Sequence, residues 1–184
     1  MKDIKSIFSQ FSNKDLNQEY LINIDITNQR LILYKNSIIL PSYYNQIAEY
    51  KISSSKYGEG NKKDSNKTPL GAHYIKEYIG EGEDILTIFK NRKPTNIKTS
   101  IINDDVASNE DIISTRILWL EGLEEGKNKG VNIDSFLRYI YIHGTNEEGM
   151  LGKKSSHGCI RMSNSDIIDL CSRKICNTLV YISI

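Results

Sequence analysis

Arg138-Tyr139-Ile140-Tyr141-Ile142-His143-Gly144-Thr145, followed after a polar stretch by Ser156-His157-Gly158-Cys159-Ile160-Arg161-Met162, decides the reading of this chain. The first segment alternates. Ile140 and Ile142 fall on one face and Tyr139, Tyr141 and His143 on the other, the pattern of a half-buried strand. Gly144 ends it, where the backbone turns or another segment approaches closely. Residues 146–155 are polar, contain Gly149 and Gly152, and read as a connecting loop. That loop has to return the chain so that Cys159 lies beside His143.

Placing those two residues together has a chemical reason. A cysteine thiol with its ordinary pKa near about 8.5 is mostly neutral at physiological pH and a poor nucleophile. A histidine within hydrogen-bond reach takes the proton, leaving a thiolate–imidazolium pair whose positive ring lowers the thiol pKa. Two of the chain's three histidines lie in these segments. Gly158 removes a side chain where a substrate carbonyl oxygen has to approach backbone N–H donors. Cysteine-based acyl transfer, with no cofactor, is therefore the leading reading. Metal binding competes with it, because His143, His157 and Cys159 are all competent zinc ligands and three protein ligands with an open position make a catalytic site. Against a zinc hydrolase, the chain has no Cys-x-x-Cys pair and no His-Glu-x-x-His helix.

The two segments closely resemble the catalytic motif of the L,D-transpeptidase (YkuD-type) family: a histidine, a loop, then Ser/Thr-His-Gly-Cys. Here the motif is His143-Gly144-Thr145 with Ser156-His157-Gly158-Cys159-Ile160-Arg161. Further resemblance lies in Thr68-Pro69-Leu70-Gly71 and Thr115-Arg116-Ile117-Leu118-Trp119-Leu120, so it covers most of residues 20–184. The resemblance implies a mainly β, sandwich-like domain of two packed mixed sheets with a few short helices. It also implies attack on peptidoglycan stem tetrapeptides before the terminal D-alanine. Cys159 resembles the nucleophile that forms a thioester and His143 the general base. Backbone N–H groups at Gly158 and Cys159 resemble the oxyanion donors, and His157 and Ser156 active-site wall residues. Arg161 has two readings of equal weight, a substrate-binding carboxylate anchor or an ion pair that braces the loop.

Two acceptors for the acyl group stay open. Water gives an L,D-carboxypeptidase that trims muropeptides for recycling, and a stem-peptide amine gives crosslinking. The resemblance also implies covalent inhibition by carbapenem-type β-lactams. A cysteine protease of ordinary peptides and a catalytically idle cell-wall-binding module are the remaining alternatives, and the intact Cys159 and His143 argue against the second.

Composition fits an enzyme of ordinary make-up. A chain of 184 residues is long enough to bury a substantial core as one domain. A net charge of +1 gives no reason to expect nucleic acid as partner. The lysines within residues 51–67 read as a solvated loop. No eighteen-residue apolar run is present, so no membrane anchor is expected. Residues 1–20 lack the apolar core of a secretory signal. The expected location is cytoplasmic if this N-terminus is native, which favours carboxypeptidase action, and periplasmic or cell wall if the chain is trimmed. Three cysteines make no complete disulfide framework, so Cys171 and Cys176 read as small buried apolar residues. His73 reads as structural or surface.

The expected organisation is an N-terminal extension, 1–19, and a catalytic domain, 20–184. A short amphipathic helix is expected over 4–11. Strands are expected near 22–26, 30–34, 38–40, 50–53, 72–75, 116–120, 138–143 and 178–184. Ser108 with Asp111 resembles a capping box that opens a helical turn. Ser163 or Asn164 is expected to cap a helix through 166–171. Residues 77–114 show no clear period.

Overall fold

A computed structural model describes residues 6, 10–11, 15–37, 44–108 and 110–184. The expected strand at 38–40 and most of the expected helix over 4–11 lie outside the described residues. Ten strands form the body: β1 (Asn17–Asp25), β2 (Arg30–Asn36), β3 (Tyr44–Ser53), β4 (Gly71–Ile79), β5 (Thr87–Lys90), β6 (Lys93–Lys98), β7 (Ser114–Gly122), β8 (Tyr141–Gly144), β9 (Ile160–Met162) and β10 (Thr178–Ser183). One helix, α1 (Asn164–Cys171), follows β9. The protein is mainly β with few short helices, and its sheet is mixed: β1 with β10 and β8 with β9 run parallel, the other pairs antiparallel.

The strand order is β4-β10-β1-β2-β3-β9-β8-β7, and β7 pairs back onto β4, so the two faces of the sandwich are joined along both sides into one ring. Isoleucine-rich alternation fills its interior. Ile22, Ile24 and Ile26 from β1 and the residue after it, Leu31 and Leu33 from β2, Ile52, Ile75, Leu118, Leu120, Ile142, Ile160, Met162, Val180 and Ile182 share one buried cluster. Burying an aliphatic side chain of this size contributes about 1.5–3 kcal/mol, and this cluster is what holds the ring shut. Helix α1 packs into the same cluster through Ile167, Leu170 and Cys171. Its N-cap is Ser163, whose hydroxyl accepts from the Asp166 N–H at 3.0 Å. Asn164, the other candidate cap, instead donates to the Thr145 carbonyl at 2.7 Å and accepts from the Ser114 hydroxyl at 2.7 Å, fastening the helix to β7 and β8.

Three local expectations change. The strand expected from Arg138 begins at Tyr141, because Tyr139 has φ +57°, a left-handed conformation that breaks extension. The period-free region 77–114 contains the β5–β6 hairpin, paired Lys90 to Lys93 across Asn91-Arg92 and attached to the ring by Ile88 opposite Ser114. Both turn residues have positive φ, +50° and +65°, the geometry of a two-residue hairpin turn that matches strand twist. No helical turn follows Ser108 among the described residues, since its hydroxyl donates to Glu147 at 2.6 Å. Cys171 is buried as expected, whereas Cys176 is exposed. His73 is structural: its Nδ1 is 3.0 Å from the Gly71 carbonyl and its Nε2 2.9 Å from the Ser135 hydroxyl. No helix among the described residues is long and apolar enough to cross a membrane.

Candidate active site

The alternation that fills the core also builds the site. β8 and β9 pair in parallel with Ile142 opposite Ile160, His143 opposite Arg161 and Gly144 opposite Met162. Ile142, Ile160 and Met162 point into the ring, so their neighbours Tyr141, His143, Cys159 and Arg161 fall on its outer face. Cys159 immediately precedes β9 and sits level with Tyr141. His143 is then its diagonal neighbour across the pair, a separation of about 7–8 Å between backbones that long side chains span. Gly144 is not turned into the left-handed region. A Cβ there would lie 2.7 Å from the Ser114 carbonyl oxygen, so its role is to let β7 come close.

Cys159 is half-buried, against a small outer cluster of Phe89, Ile117, Trp119 and Tyr141. Its Sγ receives the Tyr141 N–H at 3.4 Å and donates to the Tyr139 carbonyl at 3.4 Å. Burial pushes the thiol pKa up to about 12, against the opposing pull of the Tyr141 N–H. His143 is buried, and burial is the largest cause lowering its pKa below the ordinary imidazole value, partly countered by the Asp111 carboxylate. Burial thus favours the uncharged thiol and the uncharged imidazole, and works against the ion pair expected from the sequence. The His143 tautomer follows from one contact. Nδ1 lies 2.9 Å from the Gly144 carbonyl, which can only accept, so the proton sits on Nδ1 and Nε2 keeps its lone pair. No hydrogen bond joins His143 to Cys159 in this arrangement among the described residues, and such contacts commonly tighten only when substrate arrives.

The loop before the thiol is held from several sides. Ser156 Oγ donates to the Cys159 carbonyl at 2.6 Å and accepts from the Gly158 N–H at 3.2 Å. Thr68 Oγ1 donates to the Gly158 carbonyl at 3.0 Å while accepting from Ser55 N–H, which gives the Thr68-Pro69-Leu70-Gly71 motif its place beneath the loop. The Gly158 N–H is thus occupied by Ser156, so the oxyanion donor expected there is turned inward. Gly158 is required by its φ of +129°, not by crowding: a Cβ would meet nothing closer than 3.6 Å. Ser156 is a buried brace of the loop rather than a wall residue.

Arg161 is only 2% exposed, and its guanidinium makes four hydrogen bonds from its five N–H donors. Nη1 binds Glu147 at 2.5 Å and Ser155 at 3.3 Å, while Nε and Nη2 hold Asp111 at 3.1 and 2.7 Å. Of its two readings, the geometry is that of the bracing ion pair and not of a vacant carboxylate anchor. His157 is exposed, with Nδ1 2.9 Å from the other oxygen of Asp111 and its ring tilted against Tyr57. Asp111 therefore ties His157 to Arg161 and lies near enough to both His143 and Cys159 to act on their charges. Arg161 and its neighbours keep the Asp111 carboxyl below its usual pKa despite burial, the largest opposing influence. Sequence reasoning missed Asp111, Glu147 and Tyr139, because none belongs to the motif. His143, His157 and Cys159 do not converge as a ligand set, and no group of three or more His, Cys, Asp or Glu among the described residues is spaced to hold a metal ion. Lys63, Asn66, Arg138, Tyr139 and His157 line a cleft of ≈ 140 Å³, which shares with the thiol the residue Tyr139.

Comparisons with known proteins bear on the family and the fold. The family model described as YkuD, L,D-transpeptidase catalytic domain, matches residues 19–182. The YkuD protein of Bacillus subtilis (strain 168) is 58% identical over 31 residues, 17% of this chain and 19% of that protein. Among solved structures, Bd1075 of Bdellovibrio bacteriovorus superposes with a TM-score of 0.54 at 17% identity, covering 90% of this chain and 48% of that one. L,D-transpeptidase 3 of Mycobacterium tuberculosis, in complex with a faropenem-derived adduct, gives 0.52 at 13% identity, covering 90% and 60%. The chain thus spans about half to three-fifths of the length of these structures, and the likeness to them is one of fold. With the family model spanning nearly the whole ring and its site loop, the chain belongs to the L,D-transpeptidase catalytic domain family.

Proposed function

We infer that this protein cleaves peptidoglycan stem tetrapeptides before the terminal D-alanine through a thioester on Cys159, with His143 as the base. The observation that carries this reading is the β8–β9 register, which sets Cys159 and His143 on one outer face while the Gly144 carbonyl leaves Nε2 as the basic nitrogen. Because burial favours the uncharged thiol, proton transfer to His143 accompanies attack on the carbonyl instead of preceding it. The imidazolium then donates to the departing amine, and the acyl group stays on sulfur. The Gly158 N–H is engaged by Ser156, so the Cys159 N–H is the motif donor left to meet the oxyanion.

Water is the acceptor we favour. Water needs only an open path to the acyl-enzyme and a base, whereas a stem-peptide amine needs a second binding groove. Incubation with a disaccharide-tetrapeptide and mass spectrometry of the products tests both levels. Loss of one alanine supports the carboxypeptidase, a crosslinked dimer with little tripeptide replaces it by the transpeptidase, and an unchanged substrate removes the acyl-transfer reading.

A further inference from the structure

Arg92 sits at the tip of the β5–β6 hairpin with φ +65°, a conformation that turns usually give to glycine or asparagine. An arginine kept in such a position points to use of its side chain. The guanidinium stands 5.0 Å from the ring centroid of Trp119 and 5.0 Å from that of Tyr139, and Nη1 donates to the Tyr141 hydroxyl at 3.4 Å. Tyr139 and Tyr141 are also the residues whose backbone carbonyl and N–H contact the Cys159 sulfur. The same pair of residues therefore holds the thiol with its main chain and Arg92 with its side chains.

Two other arginines act on the thiol's charge and are already engaged, Arg161 through four hydrogen bonds and Arg138 through two. Arg161 is bound by Asp111, Glu147 and Ser155, and Arg138 donates to the carbonyls of Gly60 at 3.3 Å and Lys67 at 2.6 Å. Arg92 forms no salt bridge among the described residues, Glu77 acting on its charge only from a distance, and most of its five N–H donors are unspent. Trp119 and Tyr139, with ring centroids 5.6 Å apart, flank the guanidinium on one side, leaving its other N–H groups for a planar bidentate acceptor. A terminal carboxylate lies one residue, at most about 3.6 Å of chain, beyond the carbonyl that Cys159 attacks.

We propose that Arg92, resting against Trp119 and Tyr139, is the subsite for the terminal carboxylate of the peptide that Cys159 cleaves, and so restricts the enzyme to free C-terminal ends. The inference rests on the acyl-transfer reading for its substrate, but Arg92 also has a test independent of turnover. Purified protein is alkylated at one pH with iodoacetate, which carries a carboxylate, or with neutral iodoacetamide, and modification of Cys159 is followed by peptide mapping. In wild type the iodoacetate-to-iodoacetamide rate ratio at Cys159 exceeds that of a free cysteine by about 10–100-fold, the worth of charge-assisted hydrogen bonds. Arg92→Gln brings the ratio down to that of free cysteine and Arg92→Lys keeps part of the excess, with folding checked by thermal melting. Equal ratios in wild type and folded Arg92→Gln overturn the proposal. In a second arm, tetrapeptide with a free terminal carboxylate is compared with its C-terminal amide. Wild type prefers the acid, and Arg92→Gln raises KM for the acid until the preference disappears. Turnover of neither peptide by wild type defeats the acyl-transfer reading and the terminal-carboxylate assignment with it, while the alkylation ratio still decides whether Arg92 receives an anion. An acid preference that survives in Arg92→Gln overturns the assignment to Arg92.

Discussion

Glu147→Leu tests whether Arg161 is held by the protein or held ready for substrate. The two side chains are 2% and 3% exposed and meet at 2.5 Å, so each charge depends on the other. Removing one member of a buried pair costs about 3–5 kcal/mol, because the partner is left uncompensated. Arg161 keeps Asp111, itself 32% exposed, which places the expected loss near the lower end, about 3 kcal/mol. At about 2–4 °C per kcal/mol for a chain of this size, melting falls by roughly 6–12 °C. Arg161→Met should cost at least as much, since it strands two carboxylates. The double variant, with both charges gone, should lose no more than either single variant, giving a coupling energy of about 3 kcal/mol in urea denaturation. Additive losses, within about 0.5 kcal/mol, would refute the reasoning. So would an Arg161→Lys variant with unchanged melting and a raised KM, which is the signature of a substrate anchor.

Four further outcomes follow from the site and the core. Cys159→Ala abolishes product formation at little cost in melting temperature, whereas Cys171→Ala and Cys176→Ala keep turnover, as product mass spectra would report; activity surviving in Cys159→Ala excludes the thioester. A carbapenem such as imipenem forms one adduct, mapped to Cys159 by digestion, and an adduct confined to Cys171 or Cys176 contradicts the site. Chelation with EDTA leaves turnover unchanged, and loss that added zinc restores would favour the metal reading. His73 supplies a pH signature: burial lowers its pKa to about 4 from the ordinary 6.5, so the unfolded chain takes up a proton that the folded chain refuses. Its contribution is fully present above about pH 6.5 and is lost as pH falls toward 4, worth about 3 kcal/mol at 1.36 kcal/mol per unit. His73→Gln should flatten that part of the stability curve relative to wild type, and parallel curves would sink the assignment.

The parts of the fold legible in the sequence are those set by local period. Ile140 and Ile142 alternating with Tyr141 and His143 gave one wall of the core and one face of the site together, and Ser163 announced its helix by an ordinary cap. Tyr139 was read as strand because it continues the alternation of Ile140 to His143, and the turn that holds its backbone left-handed, with its N–H on the Phe136 carbonyl and the Ile140 N–H on the Ser135 carbonyl, has no glycine there to announce it. The β5–β6 hairpin stayed hidden because Asn91-Arg92 lacks the usual glycine and Lys93-Pro94-Thr95-Asn96-Ile97-Lys98 is mostly exposed, with a proline that argues against a strand. Arg161 could not be resolved from sequence, since its partners Asp111 and Glu147 stand 50 and 14 positions away. The motif located the nucleophile and base; it was silent on the charges that surround them.

The ring closes through β4 and β7, paired from His73–Gly122 to Ile79–Ile117, and the excursion that carries β5 and β6 leaves and rejoins between these two already bonded strands. Its ends are therefore brought together by the barrel and not by its own contacts. Lengthening or shortening such an excursion changes closure entropy slowly, by about 0.6 kcal/mol per doubling. The β5–β6 hairpin is thus separable from the barrel, whereas Asp111, further along the same excursion, is not, since it holds Arg161 and His157. Grafting tips of different length or residue between Lys90 and Lys93, with Asp111 kept, offers a route to altered specificity in which the barrel serves as an unchanging chassis.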